Sequence, residues 1–465
     1  MEERSFDLVV LGGGPGGYSA ALWGVTRGLK ACVVEMEQVG GTCLNWGCFP
    51  TKSLLRDALL FSEARSAGFF EGDIKLNYGK VIERKDAVVT KLVQGIETIL
   101  LNRGVALIEG KGRLLDSKSV IVRTKDGSEI VLKADKMVLA TGAKLDPSPF
   151  SIDHERVLGS RDALTLKTLP KALAIVGCGR RGVEFGTIFR SFGCEVVLIE
   201  KGDRILPRED AEISHRLRRI LSTQGIKMMI SSEALGAKVS DRGKVVLTLG
   251  SKKGESQIEV DNVLVPGKRA GNTEGLGLEE IGVRTRDGFI EVNETMETSV
   301  PGLYAAGDVN GRGALAHKAI AEGVLSVDGF TGMGMKINPQ LIPRCTYTNP
   351  EVGSIGLTQA EAEEKGEEIE VGKFPIGASG RALTLGQDQG IVKIIFGKKY
   401  GEILGAHILA PQATELISLA SVAMRNEMGI EELKAAVYGH PTVSEAIFEA
   451  ALDVKGEAIH FLKGS

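Results

Sequence analysis

Short apolar runs that close on glycine recur along this chain. Phe6–Leu11 runs into GGGPGG at 12–17, and ACVVE ends on Glu35. Further on, Leu173–Val176 runs into GCGRRG at 177–182, and EVVLIE ends on Glu200. Two more runs, MVLATG at 137–142 and LYAAGD at 303–308, also finish in glycine turns. Short apolar runs bounded by glycine predict buried strands of a parallel sheet. The segments behind the glycine clusters predict helices, the first beginning near Tyr18. The pattern is therefore α/β.

Two of these units share one register. Gly12, Gly14 and Gly17 precede Glu35, and Gly177, Gly179 and Gly182 precede Glu200; first glycine to acid is 23 residues in both. The first glycine makes a tight turn, the second lets a pyrophosphate approach the backbone, and the third lets the helix pack on the strand. The helix N-terminus then faces phosphate, and the acid accepts from a ribose hydroxyl. Two copies in strand–turn–helix context predict two dinucleotide sites. A carboxylate at Glu200 repels the extra phosphate of NADP and favours NAD, although Arg204 and Arg208 follow closely. Asp308 closes its run at a strand end, where it either meets a ribityl hydroxyl or phosphate-bound water, or caps the next helix.

Composition narrows the picture. With 465 residues the chain exceeds one core and divides into about three domains. A net charge of −3 offers no broad basic field, so nucleic acid and acidic membranes are not expected partners. No apolar run reaches bilayer length, and the opening MEERSFDLVVLGGG is not a secretory leader, which favours the cytoplasm. Of six cysteines, Cys32, Cys178, Cys194 and Cys345 stand alone and read as packed thiols.

The other two lie together in GGTCLNWGCFPTK. Residues five apart on a regular helix are rotated by roughly 140° and lie more than about 7 Å apart along the axis. Cys43 and Cys48 can pair only if the segment between them departs from that geometry. Gly47 permits the departure, so Thr42–Gly47 is expected as an irregular approach to a helix starting near Cys48. Cys48 then sits at a helix N-terminus with Lys52 one turn on, both of which favour a thiolate. No second cysteine pair or histidine cluster with metal-ligand spacing accompanies them, so no metal is expected. Near the other end, VYGHPTVSEA places Glu445 five residues after His440. Pro441 can begin a helix, with Glu445 in its second turn and its carboxylate on the imidazole, as a base serving a thiol requires.

These blocks together resemble the FAD-dependent pyridine nucleotide–disulfide oxidoreductases, most closely their dihydrolipoamide-oxidising branch. The resemblance runs end to end through both fingerprints, GGTCLNWGCFPTK, ATG, PGLYAAGD, AHKAIAEG, YTNPEVGSIGLT and HPTVSEA. It implies two Rossmann-like dinucleotide-binding domains plus a C-terminal α+β dimerisation domain. The expected divisions are an FAD domain at 1–145, an NAD domain at 146–273, a central segment at 274–337 completing the FAD domain, and an interface domain at 338–465. It implies Cys43 as the interchange thiol, Cys48 as the flavin-side thiolate, and Lys52 near the flavin paired with Glu184. His440 oriented by Glu445 becomes the acid–base, supplied by the partner subunit of a homodimer. Implied FAD contacts are Gly12, Gly14, Gly17, Glu35, Thr42, Lys52, Gly112, Thr141, Gly142, Asp308 and Ala316. Implied NAD contacts are Gly177, Gly179, Gly182, Glu184, Glu200 and Lys268. The implied partner is a lipoyl-carrying protein of a 2-oxo-acid dehydrogenase or glycine cleavage system. Another NAD(P)H-dependent disulfide reductase, or a redox-sensing or scaffold subunit with impaired turnover, are the competing readings. Three departures motivate them: Arg180 and Arg181 inside the second fingerprint, Lys268–Asn272 in place of a glycine–arginine–x–proline–asparagine loop, and Tyr438 beside His440 where many relatives have histidine. The two arginines read either as solvent-facing, or as gating the nicotinamide or favouring a more anionic ligand.

Overall fold

The computed structural model describes residues 2–146, 150–332 and 336–462. Its first sheet is built from β1 (Glu2–Leu11), β2 (Ala31–Glu35), β3 (Ala106–Leu114), β4 (Ser119–Thr124) and β5 (Glu129–Leu139). β1 lies between β2 and β5, parallel to both, with Leu8 opposite Ala31 and Val10 opposite Val138. β4 returns antiparallel between β3 and β5. The strand Leu303–Ala305, from far along the chain, joins β5 in parallel and brings the LYAAGD turn to this sheet. Four helices serve it: α1 (Pro15–Thr26), α2 (Gly41–Trp46), α3 (Cys48–Ser66) and α4 (Tyr78–Asn102).

The second sheet repeats the plan. Ala172–Val176 lies between Glu195–Glu200 and Asn262–Leu264, with Lys227–Ile230 and Val157–Leu158 outside them, all parallel. A three-stranded antiparallel layer, 232–260, covers it. Ala143–Asp146 pairs antiparallel with Lys268–Gly271 as a ribbon where the chain enters and leaves this unit. The third sheet is antiparallel, spans 344–410, and carries the helices Ala413–Arg425 and Glu445–Asp453. Arg344 reaches Glu209 at 3.1 Å, and the buried Lys393 reaches Asp210 at 3.0 Å, tying this layer to the second sheet.

Three local expectations need correction. α1 starts at Pro15 rather than near Tyr18, because proline suits the first helical position and its missing N–H costs nothing there. The approach to Cys48 is itself a helical turn, α2, and the break is confined to Gly47 with φ −139° and ψ −102°. A Cβ at Gly47 would meet the Thr42 carbonyl oxygen at 2.6 Å, so the break requires glycine. Pro441 does not begin a helix: the His440–Pro441 peptide is cis, and the helix begins at Glu445.

Candidate active site

The two glycine turns match closely in backbone angles. Gly12 and Gly177 hold φ of +104° and +102°. A Cβ on Gly17 would lie 1.8 Å from the Gly12 carbonyl oxygen, and one on Gly182 would lie 1.9 Å from that of Gly177. The acids behave alike too. Glu35 accepts from the Gly13 and Glu37 amides at 2.6 and 2.7 Å; Glu200 accepts from the Cys178 and Gly202 amides at 2.8 Å each. Each carboxylate is thereby held at the mouth of its turn. The second glycines leave room beside the helix N-termini: nothing lies within 4 Å of a Cβ on Gly179, and only Gly41 Cα, at 3.8 Å, is near one on Gly14.

The cysteine pair lies next to the first turn, where Gly41 of α2 packs against Gly14. Cys43 is in α2 and Cys48 opens α3, with the Gly47 break between them. Cys48 is lowered to about 7, chiefly by hydrogen bonding from the neighbouring Cys43 side chain; burial opposes this, and the Lys52 and Arg180 charges support it. Cys43, as donor, is raised. The two thiols are therefore pushed in opposite directions, Cys48 down and Cys43 up. Lys52, one turn along α3, donates to Glu184 at 2.8 Å, and its ammonium stands 4.1 Å from the centre of the Tyr347 ring. Glu184 also accepts from the Tyr347 amide at 3.1 Å. Tyr347 thus braces the ion pair from both sides. Only its place in YTNPEVG hinted at it, since contacts across hundreds of residues leave no local pattern.

Elsewhere, His440 Nδ1 meets Glu445 at 2.7 Å, while Glu445 also accepts from the Thr442 amide at 2.8 Å. A carboxylate on Nδ1 fixes the tautomer with Nε2 free to accept a proton. The imidazole is 79% exposed, and no hydrogen bond among the described residues joins it to either cysteine. Asp308 opens a short 3-10 turn, and its carboxyl is raised by burial against the opposing charge of Arg269. Arg180 donates to the Ala314 carbonyl at 3.0 Å and Arg181 to that of Gly267 at 2.6 Å. Neither points freely into solvent. Burial and the neighbouring Arg269 and Arg180 charges lower Arg181 to about 10.

The chain matches the pyridine nucleotide-disulphide oxidoreductase family over residues 6–323 and that family's dimerisation domain over 342–451. The chain belongs to this family. Among curated relatives, the dihydrolipoyl dehydrogenase of Bacillus subtilis is 38% identical, covering 98% of this chain and 99% of the relative. The leghemoglobin reductase of Glycine max is 39% identical, covering 96% and 87%. Among solved structures, LpdA from Mycobacterium tuberculosis superposes with a TM-score of 0.90 at 29% identity, covering 98% and 100%. The HOCl-induced flavoprotein disulfide reductase RclA from Escherichia coli, solved as a Cu(II) complex, gives 0.87 at 25% identity, covering 96% and 99%.

As a pyridine nucleotide-disulphide oxidoreductase, the chain is a flavoprotein disulfide oxidoreductase that uses FAD and NAD and acts as a homodimer. Both turns fit these groups: each offers a helix N-terminus, space where a Cβ would stand, and a carboxylate fixed at its rim. Thr141 and Asn272 lock the β5 end to the returning chain, with Thr141 Oγ1 donating to the Asn272 carbonyl at 2.8 Å. Gly142 follows at φ +71°, and Ala316 begins the helix Ala316–Thr331. Thr42 lies in α2 beside Cys43. Gly112 and Lys268 have the following surroundings. A Cβ on Gly112 would press on Leu11 and Val120, a packing reason for glycine. Lys268 is exposed on the ribbon opposite Asp146. Tyr438 packs its ring 5.7 Å from that of Phe448. Among the described residues no helix is long and apolar enough to cross a membrane, and no group of three or more candidate ligands could hold a metal ion.

Proposed function

We propose that the protein is a dihydrolipoyl dehydrogenase of the cytoplasm, serving a lipoyl-carrying protein of a 2-oxo-acid dehydrogenase or glycine cleavage system. The observation that carries the reading is the cysteine pair across the Gly47 break, with Cys48 opening a helix one turn before a Lys52 that is paired with Glu184. The dihydrolipoyl dehydrogenases among the relatives support the substrate.

In this reading the oxidised enzyme carries a Cys43–Cys48 disulfide. His440 of the partner subunit takes a proton from one dihydrolipoyl thiol at Nε2, with Glu445 holding Nδ1. The resulting thiolate attacks Cys43 Sγ; the Cys43–Cys48 bond breaks and its electron pair leaves on Cys48. The second substrate thiol attacks the substrate sulfur bound to Cys43, passing its proton to Cys43 and releasing the cyclic disulfide. Both protons are then placed, one on His440 and one on Cys43, and Cys48 holds the negative charge. Lys52, tied to Glu184, keeps a cation beside that charge. When bound, FAD would supply a two-electron acceptor next to Cys48, and NAD⁺ would supply the final hydride acceptor. Gly12, Gly14, Gly17, Glu35, Thr141, Gly142, Asp308 and Ala316 would hold FAD; Gly177, Gly179, Gly182 and Glu200 would hold NAD.

A steady-state comparison of dihydrolipoamide with NAD⁺ against glutathione disulfide with NADPH tests this. The first pair is expected to exceed the second in kcat/KM by at least about a hundredfold. The reverse ranking would assign another disulfide reductase. Cys48→Ser is expected to lower kcat for dihydrolipoamide by about a thousandfold or more.

A further inference from the structure

Asp308, which would hold FAD, stands on a turn whose backbone is under constraint. Gly307, just before it, has φ +85° and ψ −153°, a conformation open almost only to glycine. Such a turn keeps its shape when its surroundings fix it. The fixing group comes from the helix that follows, Ala316–Thr331. One oxygen of Glu322 accepts from the Gly307 amide at 2.9 Å and from Asn310 Nδ2 at 3.0 Å, so a single carboxylate grips the turn on both sides of Asp308. Its other oxygen meets Lys318 Nζ at 2.7 Å, one helical turn back. Lys318 also donates to Asn310 Oδ1 at 3.4 Å.

Lys318 and Glu322 are each only 3% exposed. Both charges have left water, and an apolar pair of similar volume would fill the same space without that loss of solvation. The stability of the fold is therefore a weak reason for the pair. Its placement supplies a stronger one, because three elements that would face FAD meet around it. The helix Ala316–Thr331 crosses α1 so closely that a Cβ on Gly323, next to Glu322, would lie 2.2 Å from the Gly16 carbonyl oxygen. A Cβ on Gly16 would lie 3.2 Å from the Ala319 carbonyl oxygen and 3.4 Å from that of Ala306. Farther along, Asp328 accepts from Trp23 Nε1 at 2.8 Å and pins the same helix to α1 again. The helix is thus anchored on the first glycine unit, and Glu322 carries that anchorage across to the Asp308 turn.

We propose that Glu322 is a positioning residue for FAD: its hold on the Gly307 amide sets the Asp308 turn against α1 and the start of the helix Ala316–Thr331. Lys318 is the buried counter-charge that lets a carboxylate stand there. The assignment rests on Asp308 as an FAD contact and is independent of the substrate that the dithiol meets.

The test uses two double variants of the full-length holoenzyme, since removing either charge alone would strand the other in the interior. Lys318→Met with Glu322→Leu removes both the charges and the grip. Lys318→Met with Glu322→Gln removes the charges but keeps an amide oxygen for the Gly307 N–H. FAD release is followed by flavin fluorescence, and far-ultraviolet circular dichroism checks that each variant is folded. The Leu double variant is expected to release FAD at least about tenfold faster than the parent, and the Gln double variant to stay within about threefold of it. Asp308→Ala, run beside them, is expected to release FAD at least about tenfold faster as well. Parental release from the Leu double variant, with fast release from Asp308→Ala, overturns the proposal and leaves the Asp308 contact standing. Parental release from Asp308→Ala removes the contact and the proposal together. Equal acceleration in the Leu and Gln double variants also overturns it, because charge rather than grip would then govern FAD. A Leu double variant that does not fold would assign the pair to the stability of the chain and overturn it too.

Discussion

The turns at Gly12 and Gly177 share backbone angles, helix placement and carboxylate bonds, yet their backs differ. A Cβ on Gly12 would strike the Ala140 carbonyl oxygen at 2.3 Å, whereas one on Gly177 meets nothing within 4 Å. Gly14 faces Gly41 of the dithiol helix, and Gly179 faces open space. The first turn is walled by β5 and by α2; the second is open apart from the arginines that follow it. Closely matched local geometry thus sits in two settings, one walled and one open. What differs is the second layer around the turn, to which the glycine spacing is blind.

The sharpest way to break this comparison is at the third glycines. Gly17→Ala and Gly182→Ala each drive a methyl into a carbonyl oxygen, and each is expected to cost about 3 kcal/mol or more. Their consequences should diverge: Gly17→Ala should purify with little flavin, while Gly182→Ala should retain flavin absorbance and lose NADH binding by fluorescence. Loss of the same ligand from both would erase the distinction. A smaller effect is expected at the first glycines. Gly177→Ala should cost only the strain of a left-handed residue, about 1–2 kcal/mol, and Gly12→Ala clearly more, because the Ala140 carbonyl blocks it. Thermal melts of the two variants should separate, and coincident melts would show that the first turn is not walled. Smallest is the contrast at the acids. Glu200→Gln should narrow the preference for NAD over NADP by about tenfold in kcat/KM, whereas Glu35→Gln should leave it unchanged.

The strand–turn–helix units could be read from sequence because everything they need is local: an apolar run, three glycines and one acid. The pairing of Cys48 with a helix start was legible for the same reason, since Gly47 advertises the break. α2 was not, because GTCLNW is too short to display a helical period. The His440–Glu445 pair was found, but its helix was set too early. The Glu445 carboxylate takes the Thr442 amide, so the chain turns before the helix begins. Least legible were Tyr347 over Lys52 and the reach of Arg180 to the Ala314 carbonyl. Both depend on how separate units dock, and the sequence displays Arg180 only as a departure from an expected apolar residue.

The short spacing of the dithiol has a thermodynamic consequence. A bond between Cys43 and Cys48 closes a loop of six residues, and loop closure this small restricts the unfolded chain by only about 2 kcal/mol. A cross-link spanning a hundred residues would be worth more than twice that. Forming and breaking this bond therefore changes the stability of the whole molecule little, and the fold does not work as a spring against its own catalytic cycle.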